Sequence, residues 1–212
     1  MEKVIVSFDL DGTLTTHDFT RGVWGEGVPR LLAEKKRISL DEASQFCTDA
    51  YHTEGDASIH WYQLDYWLDF FGLHEADANE VILGSADKIR LFDDVRSTLD
   101  RLKEKNFSLI IFSNATRLFL DIEVSVLKIG PYFDEIISLP DDWGMLKSDS
   151  RAFARLKEKK GELVHAGDHI CYDYEVPRSI GIDAFHVWRG AGPRNEDSLL
   201  SLGSLVDRIA CA

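Results

Sequence analysis

The stretch Val4-Ile5-Val6-Ser7-Phe8-Asp9-Leu10-Asp11-Gly12-Thr13-Leu14-Thr15 constrains this chain more than any other. Its apolar, β-branched start fits a buried strand, and that strand leads directly into two aspartates spaced i, i+2. Residues two apart on a strand point to the same side, so both carboxylates converge just past its end. Gly12 permits a sharp turn there. Carboxylates this close repel unless a cation or a shared proton lies between them. An all-oxygen site of that kind suits Mg²⁺, which keeps waters and takes substrate phosphate as a further ligand. On these residues alone, Asp11-Gly12 also fits a plain hairpin turn.

From about residue 92 the pattern alternates helix and strand. Residues 93–105 form an amphipathic helix with Val95, Leu99 and Leu102 on one face. The runs 107–112, 135–139, 163–166 and 184–188 are apolar enough for strands. Helices are predicted at 115–128 (stopped by Gly130-Pro131), 149–160, 172–180 and 199–209, with Pro177 arguing for a bend or break. Such alternation predicts an α/β fold: a parallel sheet with helices on both faces, binding ligands at the strands' carboxyl ends. Residues 18–90 contain no convincing strand. Helices are predicted there at 41–50, 57–71 and 76–82, with Gly72 as a C-cap, so this segment reads as a helical insert.

Charge narrows the partners. The 212 residues include 24 basic and 37 acidic side chains, a net −13. That disfavours nucleic acid and anionic membrane, and it requires any bound phosphate to be held locally. Cys47, Cys171 and Cys211 are far apart with no CxxC pair, which suits a reducing compartment and argues against structural zinc. Without a signal-like or membrane-spanning apolar run, the cytoplasm is the expected location.

Three later segments add chemistry. Ser113-Asn114 ends a strand and could cradle an oxyanion, although it also fits an N-cap pair. Lys147 precedes a helix and could reach a phosphoryl oxygen, although an isolated lysine is usually on the surface. Gly167-Asp168 ends a strand with Asp173 five residues on, and these carboxylates could either close a metal site or cap turns.

In this order the segments resemble the haloacid dehalogenase-like (HAD) superfamily. Phe8-Asp9-Leu10-Asp11-Gly12-Thr13 is similar to its first motif, Ser113-Asn114 to the second, Lys147 to the third, and Gly167-Asp168 with Asp173 to the fourth. Residues 133–138 resemble its third-strand region. Ser148 departs from the family, where proline commonly follows the lysine. The wording of residues 173–178 resembles the REG-2-like branch. The resemblance implies a Rossmann-like core over 1–17 and 91–212 and a helical C1-type cap over 18–90. It also implies a phosphatase mechanism. Asp9 would be the nucleophile and Asp11 the general acid and base. Mg²⁺ would sit on the Asp9 carboxylate, the Asp11 backbone carbonyl and Asp168, with Asp173 supporting it directly or through another ligand. Ser113, the Asn114 amide and Lys147 would neutralise the phosphoryl oxygens. True dehalogenases of the family lack an aspartate two after the nucleophile, so Asp11 favours a small phosphorylated substrate. A phosphomutase or a non-catalytic phosphate-binding protein would share most of these residues.

The insert is rich in aromatics. Trp61, Leu64, Leu68 and Phe71 follow one helical stripe and are expected in its core. Tyr62, Tyr66 and Phe70 lie on another side, and His17, Arg21 and Trp24 follow the first motif, where they could line an entrance. His165 is expected to be a buried structural histidine.

Overall fold

The computed structural model describes residues 4–74, 76–190 and 192–209; Cys211 lies outside the described residues. The chain divides into two compact units, Met1–Thr16 with Leu91–Ala212, and His17–Arg90.

The first unit is built on five parallel strands: β1 (Ile5–Phe8), β2 (Ser108–Ser113), β3 (Glu135–Ser138), β4 (Leu163–Gly167) and β5 (Asp183–His186), in spatial order β3-β2-β1-β4-β5. Register pairs Ser7 with Ile110 on one side and with His165 on the other. Period-2 alternation sorts the side chains between two layers. Val6, Phe8, Leu109, Ile111, Val164 and Ala166 pack with Val95, Leu99 and Leu102 of α6 (Val95–Glu104) and Leu205 and Val206 of α10 (Gly203–Ile209). Ile5, Ile110, Phe112 and Leu163 pack with Ala152, Phe153 and Leu156 of α8 (Ser150–Lys160). Strands covered on both faces read as continuous apolar runs, which is why they were legible in the sequence. The chain order reverses between β1 and β4, so ligand chemistry is expected beyond their carboxyl ends.

Local chemistry shifts several predicted boundaries. Helix α7 (Arg117–Leu127) starts two residues later than expected, because Thr116 is extended (φ −67°, ψ 160°) and serves as its N-cap. The helix predicted over 172–180 changes type just before Pro177. A π turn over Ile170–Glu175 runs into α9 (Val176–Ser179), and Pro177 occupies the first turn, where no N–H is needed. The last helix begins at Gly203 because Leu199 is instead bridged to Val187.

The second unit is helical: α1 (Asp18–Gly22), α2 (Val28–Lys36), α3 (Leu40–Glu54), α4 (Leu64–Phe70) and α5 (Ala76–Ser85). A capping box starts α3, with Glu42 N–H donating to Ser39 Oγ and Ser39 N–H to the Glu42 carboxylate. The predicted helix over 57–71 is split. Ile59–Tyr62 is a 3₁₀ turn, and Gln63 is extended before α4 begins. The buried stripe is therefore Leu64, Trp67, Leu68 and Phe71, with Trp61 only half-buried. Helices α1 and α2 were hidden by Gly22, Gly25 and Gly27, which resemble a loop. Gly27 is needed for packing, since a Cβ there would lie 2.6 Å from Val81. Among the described residues no helix is long and apolar enough to cross a membrane.

Candidate active site

The β1 ladder extends one residue past the strand, with Asp9 N–H donating to Ala166 C=O at 3.0 Å. The chain then turns through Gly12, at φ 80°, and Gly12 N–H closes the turn onto Thr15 C=O at 2.7 Å. This leaves the Asp9 side chain buried beyond the sheet.

Lys147 meets it there. Its Nζ lies 2.6 Å from Asp9 Oδ1 and 2.6 Å from Asp173 Oδ1, and the lysine is only 3% exposed. Lys147 sits in the loop before α8, its backbone N–H bonded to Asn114 Oδ1 at 2.9 Å. The Asn114 side chain is thus the clip that sets Lys147. Asp173 is carried by the π turn and accepts from His169 N–H at 3.0 Å and from His165 Nε2 at 3.0 Å. Gly167 makes this approach feasible, since a Cβ there would fall 2.3 Å from the Asp173 carboxyl carbon. The Thr13 hydroxyl lies 3.3 Å from Asp9 Oδ2 and 3.4 Å from Asp168 Oδ1. Ser113, at the end of β2 beside β1, is buried.

Electrostatics follow from crowding. Asp9, Asp168 and Asp173 each present an oxygen within 4.8 Å of the others, against a single ammonium. Burial, opposed by Lys147 and reinforced by Asp173 and Asp168, pushes the Asp9 carboxyl up to about 8. Asp173 pays the same burial penalty, yet Lys147 and His165 hold it below the usual carboxylate range. Burial likewise works against the Lys147 charge, but Asp173 and Asp9 hold its ammonium above the ordinary value. Burial pushes His165 down, so Asp173 sees a neutral imidazole at pH 7. The donor set is all oxygen and short of positive charge, which fits a hard divalent cation such as Mg²⁺.

Some participants were not singled out in the sequence. Thr13 lay inside the motif without an assigned role. Glu123 of α7 is fully buried beside Asp11 and Thr15; burial and the Asp11 charge push its carboxyl well above the ordinary value. A signal existed, since Glu123 shares a helical face with buried Phe119 and Leu120. His165 is buried as expected, its Nδ1 2.7 Å from Ser7 Oγ, but it also touches Asp173.

A family model described as haloacid dehalogenase-like hydrolase matches residues 4–181, which include every one of these groups. The chain belongs to this family. It is therefore a hydrolase, with the family's Rossmann-like fold. It is 26% identical over 156 residues to the GMP/IMP nucleotidase YrfG of Escherichia coli, covering 74% of this chain and 68% of that protein. Among solved structures, a HAD phosphatase from Thermococcus onnurineus superposes with a TM-score of 0.84 at 23% identity, over 99% of this chain and 98% of the other. A 2-haloacid dehalogenase from Pseudomonas syringae superposes at 0.62 with 21% identity, over 100% and 99%. The HAD fold thus accommodates different chemistries, and the choice between them rests on site residues.

Proposed function

We propose that this HAD-family hydrolase is a Mg²⁺-dependent phosphatase that cleaves small phosphomonoesters through a phosphorylated Asp9. The observation that carries this reading is the buried Asp9–Lys147–Asp173 chain beside Asp168, with a second carboxyl, Asp11, two residues on. A nucleophilic carboxylate, a fixed ammonium and a separate proton carrier are what phosphoryl transfer needs.

In the proposed reaction an Asp9 oxygen attacks phosphorus in line, and the ester oxygen leaves with the proton of the Asp11 carboxyl. Water then attacks the acyl phosphate, giving its proton to the Asp11 carboxylate, and phosphate departs with Asp9 regenerated. Ser113 Oγ, the Asn114 amide and Lys147 Nζ stabilise the phosphoryl oxygens where charge develops. The Asp9 carboxylate, the Asp11 carbonyl, Asp168 and Asp173 would hold Mg²⁺, which when bound supplies charge that keeps Asp9 ionised and screens the phosphoryl group. Residues 18–90 act in this reading as the cap that excludes water. The net charge of −13 argues against polyanionic partners. Purine nucleoside monophosphates head the candidate substrates, because the bacterial relative is a GMP/IMP nucleotidase.

The test is a panel of phosphorylated nucleosides, sugars and small acids, assayed with Mg²⁺, with EDTA and with Zn²⁺. Turnover is expected to stop in EDTA and to return with Mg²⁺ but not with Zn²⁺, since Cys and His ligands are missing from the set. Full activity in a chelated preparation would overturn the carboxylate metal site. Asp11→Asn keeps the backbone carbonyl but cannot carry the proton, so its kcat is expected to fall about 10²–10⁴-fold. A loss of only a few-fold would assign the proton to another group.

A further inference from the structure

Arg189, just beyond β5, is bound on three sides. Its Nη1 lies 2.9 and 2.8 Å from the two carboxylate oxygens of Asp94, and its Nη2 donates to the Thr13 carbonyl at 2.7 Å. The guanidinium carbon sits 4.1 Å from the centre of the Phe92 ring. The side chain is 13% exposed. Its Nε is buried with no hydrogen-bond partner among the described residues, a desolvation cost that a free surface arginine would not carry. Asp94 is itself anchored, accepting from Leu202 N–H at 2.7 Å.

The partners matter because of where they lie. Thr13 is the residue whose hydroxyl faces both Asp9 and Asp168. Phe92 and Asp94 follow the point where the chain re-enters the first unit. The outgoing and returning segments are joined there by Phe92 N–H to Leu14 C=O at 3.1 Å and by the Thr15–Leu91 bridge. We infer that Arg189 is a positioning residue for the reaction: it pins the Gly12–Thr15 turn to the Phe92–Asp94 segment and so holds Thr13 against the Asp9 and Asp168 carboxylates. The inference rests on the phosphatase reading for its activity arm and on the proposed Mg²⁺ site for its calorimetric arm. Arginine suits the task because its planar fork serves a carboxylate and a carbonyl at once, which a single ammonium cannot do with the same geometry.

Arg189 reaches the site through the Thr13 backbone carbonyl, so its loss should act through the turn. In Arg189→Ala, kcat on the best phosphomonoester is expected to fall about 10-fold to 100-fold with KM within about twofold, as small misplacements of reacting groups do. Calorimetric Mg²⁺ binding should weaken several-fold in the same protein, and Arg189→Lys should fall between the two. A folded Arg189→Ala protein with wild-type kcat and wild-type Mg²⁺ affinity would overturn the inference. So would a loss in which KM alone changes. If Arg189→Ala does not fold, Arg189→Lys is judged by the same criteria. A wild-type protein that hydrolyses no phosphomonoester would overturn the phosphatase reading, and the Mg²⁺ calorimetry would still decide the role of Arg189.

Discussion

Asp9→Asn is expected to lower phosphomonoester turnover by at least about 10⁴-fold, on the scale seen when a nucleophile is removed. The amide keeps the shape and still accepts from Lys147 Nζ, now 2.6 Å from Asp9 Oδ1, but it cannot attack phosphorus. Stability should move the other way. Burial, against the pull of Lys147, raises the folded Asp9 carboxyl from 3.8 to about 8. A raised carboxyl contributes stability that is fully present below its unfolded value and is lost as pH rises through its folded value. Metal-free wild-type protein should therefore lose Tm progressively from about pH 4 to pH 8, relative to the variant, since Asn cannot ionise. Asp173, whose carboxyl is held low, acts at the acid end with the opposite sign. Thermal unfolding in EDTA across pH 4–9 measures this. Mg²⁺ at pH 8.5 should raise the Tm of the wild type and not that of the variant. A folded Asp9→Asn protein with near-normal turnover would refute the mechanism.

Lys147→Met should damage both fold and chemistry. The ammonium is the common partner of Asp9 and Asp173, and removing one side of a buried charge pair typically costs about 3–5 kcal/mol. Proton uptake by Asp9 will relieve part of this. Asp173 keeps its bonds from His165 and from His169 N–H, which limits the damage further. A cation can replace the lost charge, so Mg²⁺ should recover a larger share of Tm in Lys147→Met than it adds to the wild type. Activity with saturating Mg²⁺ should still fall about 10²–10³-fold, the range for removing one oxyanion-stabilising donor. A variant with wild-type Tm in EDTA would mean that the Lys147 contacts carry no net stability.

How far the sequence could be read depended on the range of the interaction. Strands buried on both faces announce themselves residue by residue, and the period of two aims Asp9 beyond the end of β1 without any tertiary information. Helix α6 was legible from its apolar stripe in the same way. Where local signals conflict with packing, packing decides. Gly27 looked like a loop residue but allows the close approach of Val81, and Gln63 splits what periodicity joined into one helix. Residue identity alone could not bury Lys147, because a lone lysine belongs on a surface. Its place is set by Asn114 Oδ1, 33 positions away, and by carboxylates 138 and 26 positions away. Glu123 and Arg189 were silent for a related reason, since their partners come from distant strand ends. Sequence by itself determined the strands, the helical insert and the types of chemical group at each strand end. Only the tertiary structure decided which charges share one buried volume, because charge pairing depends on separation in space, and the sheet order β3-β2-β1-β4-β5 sets that separation.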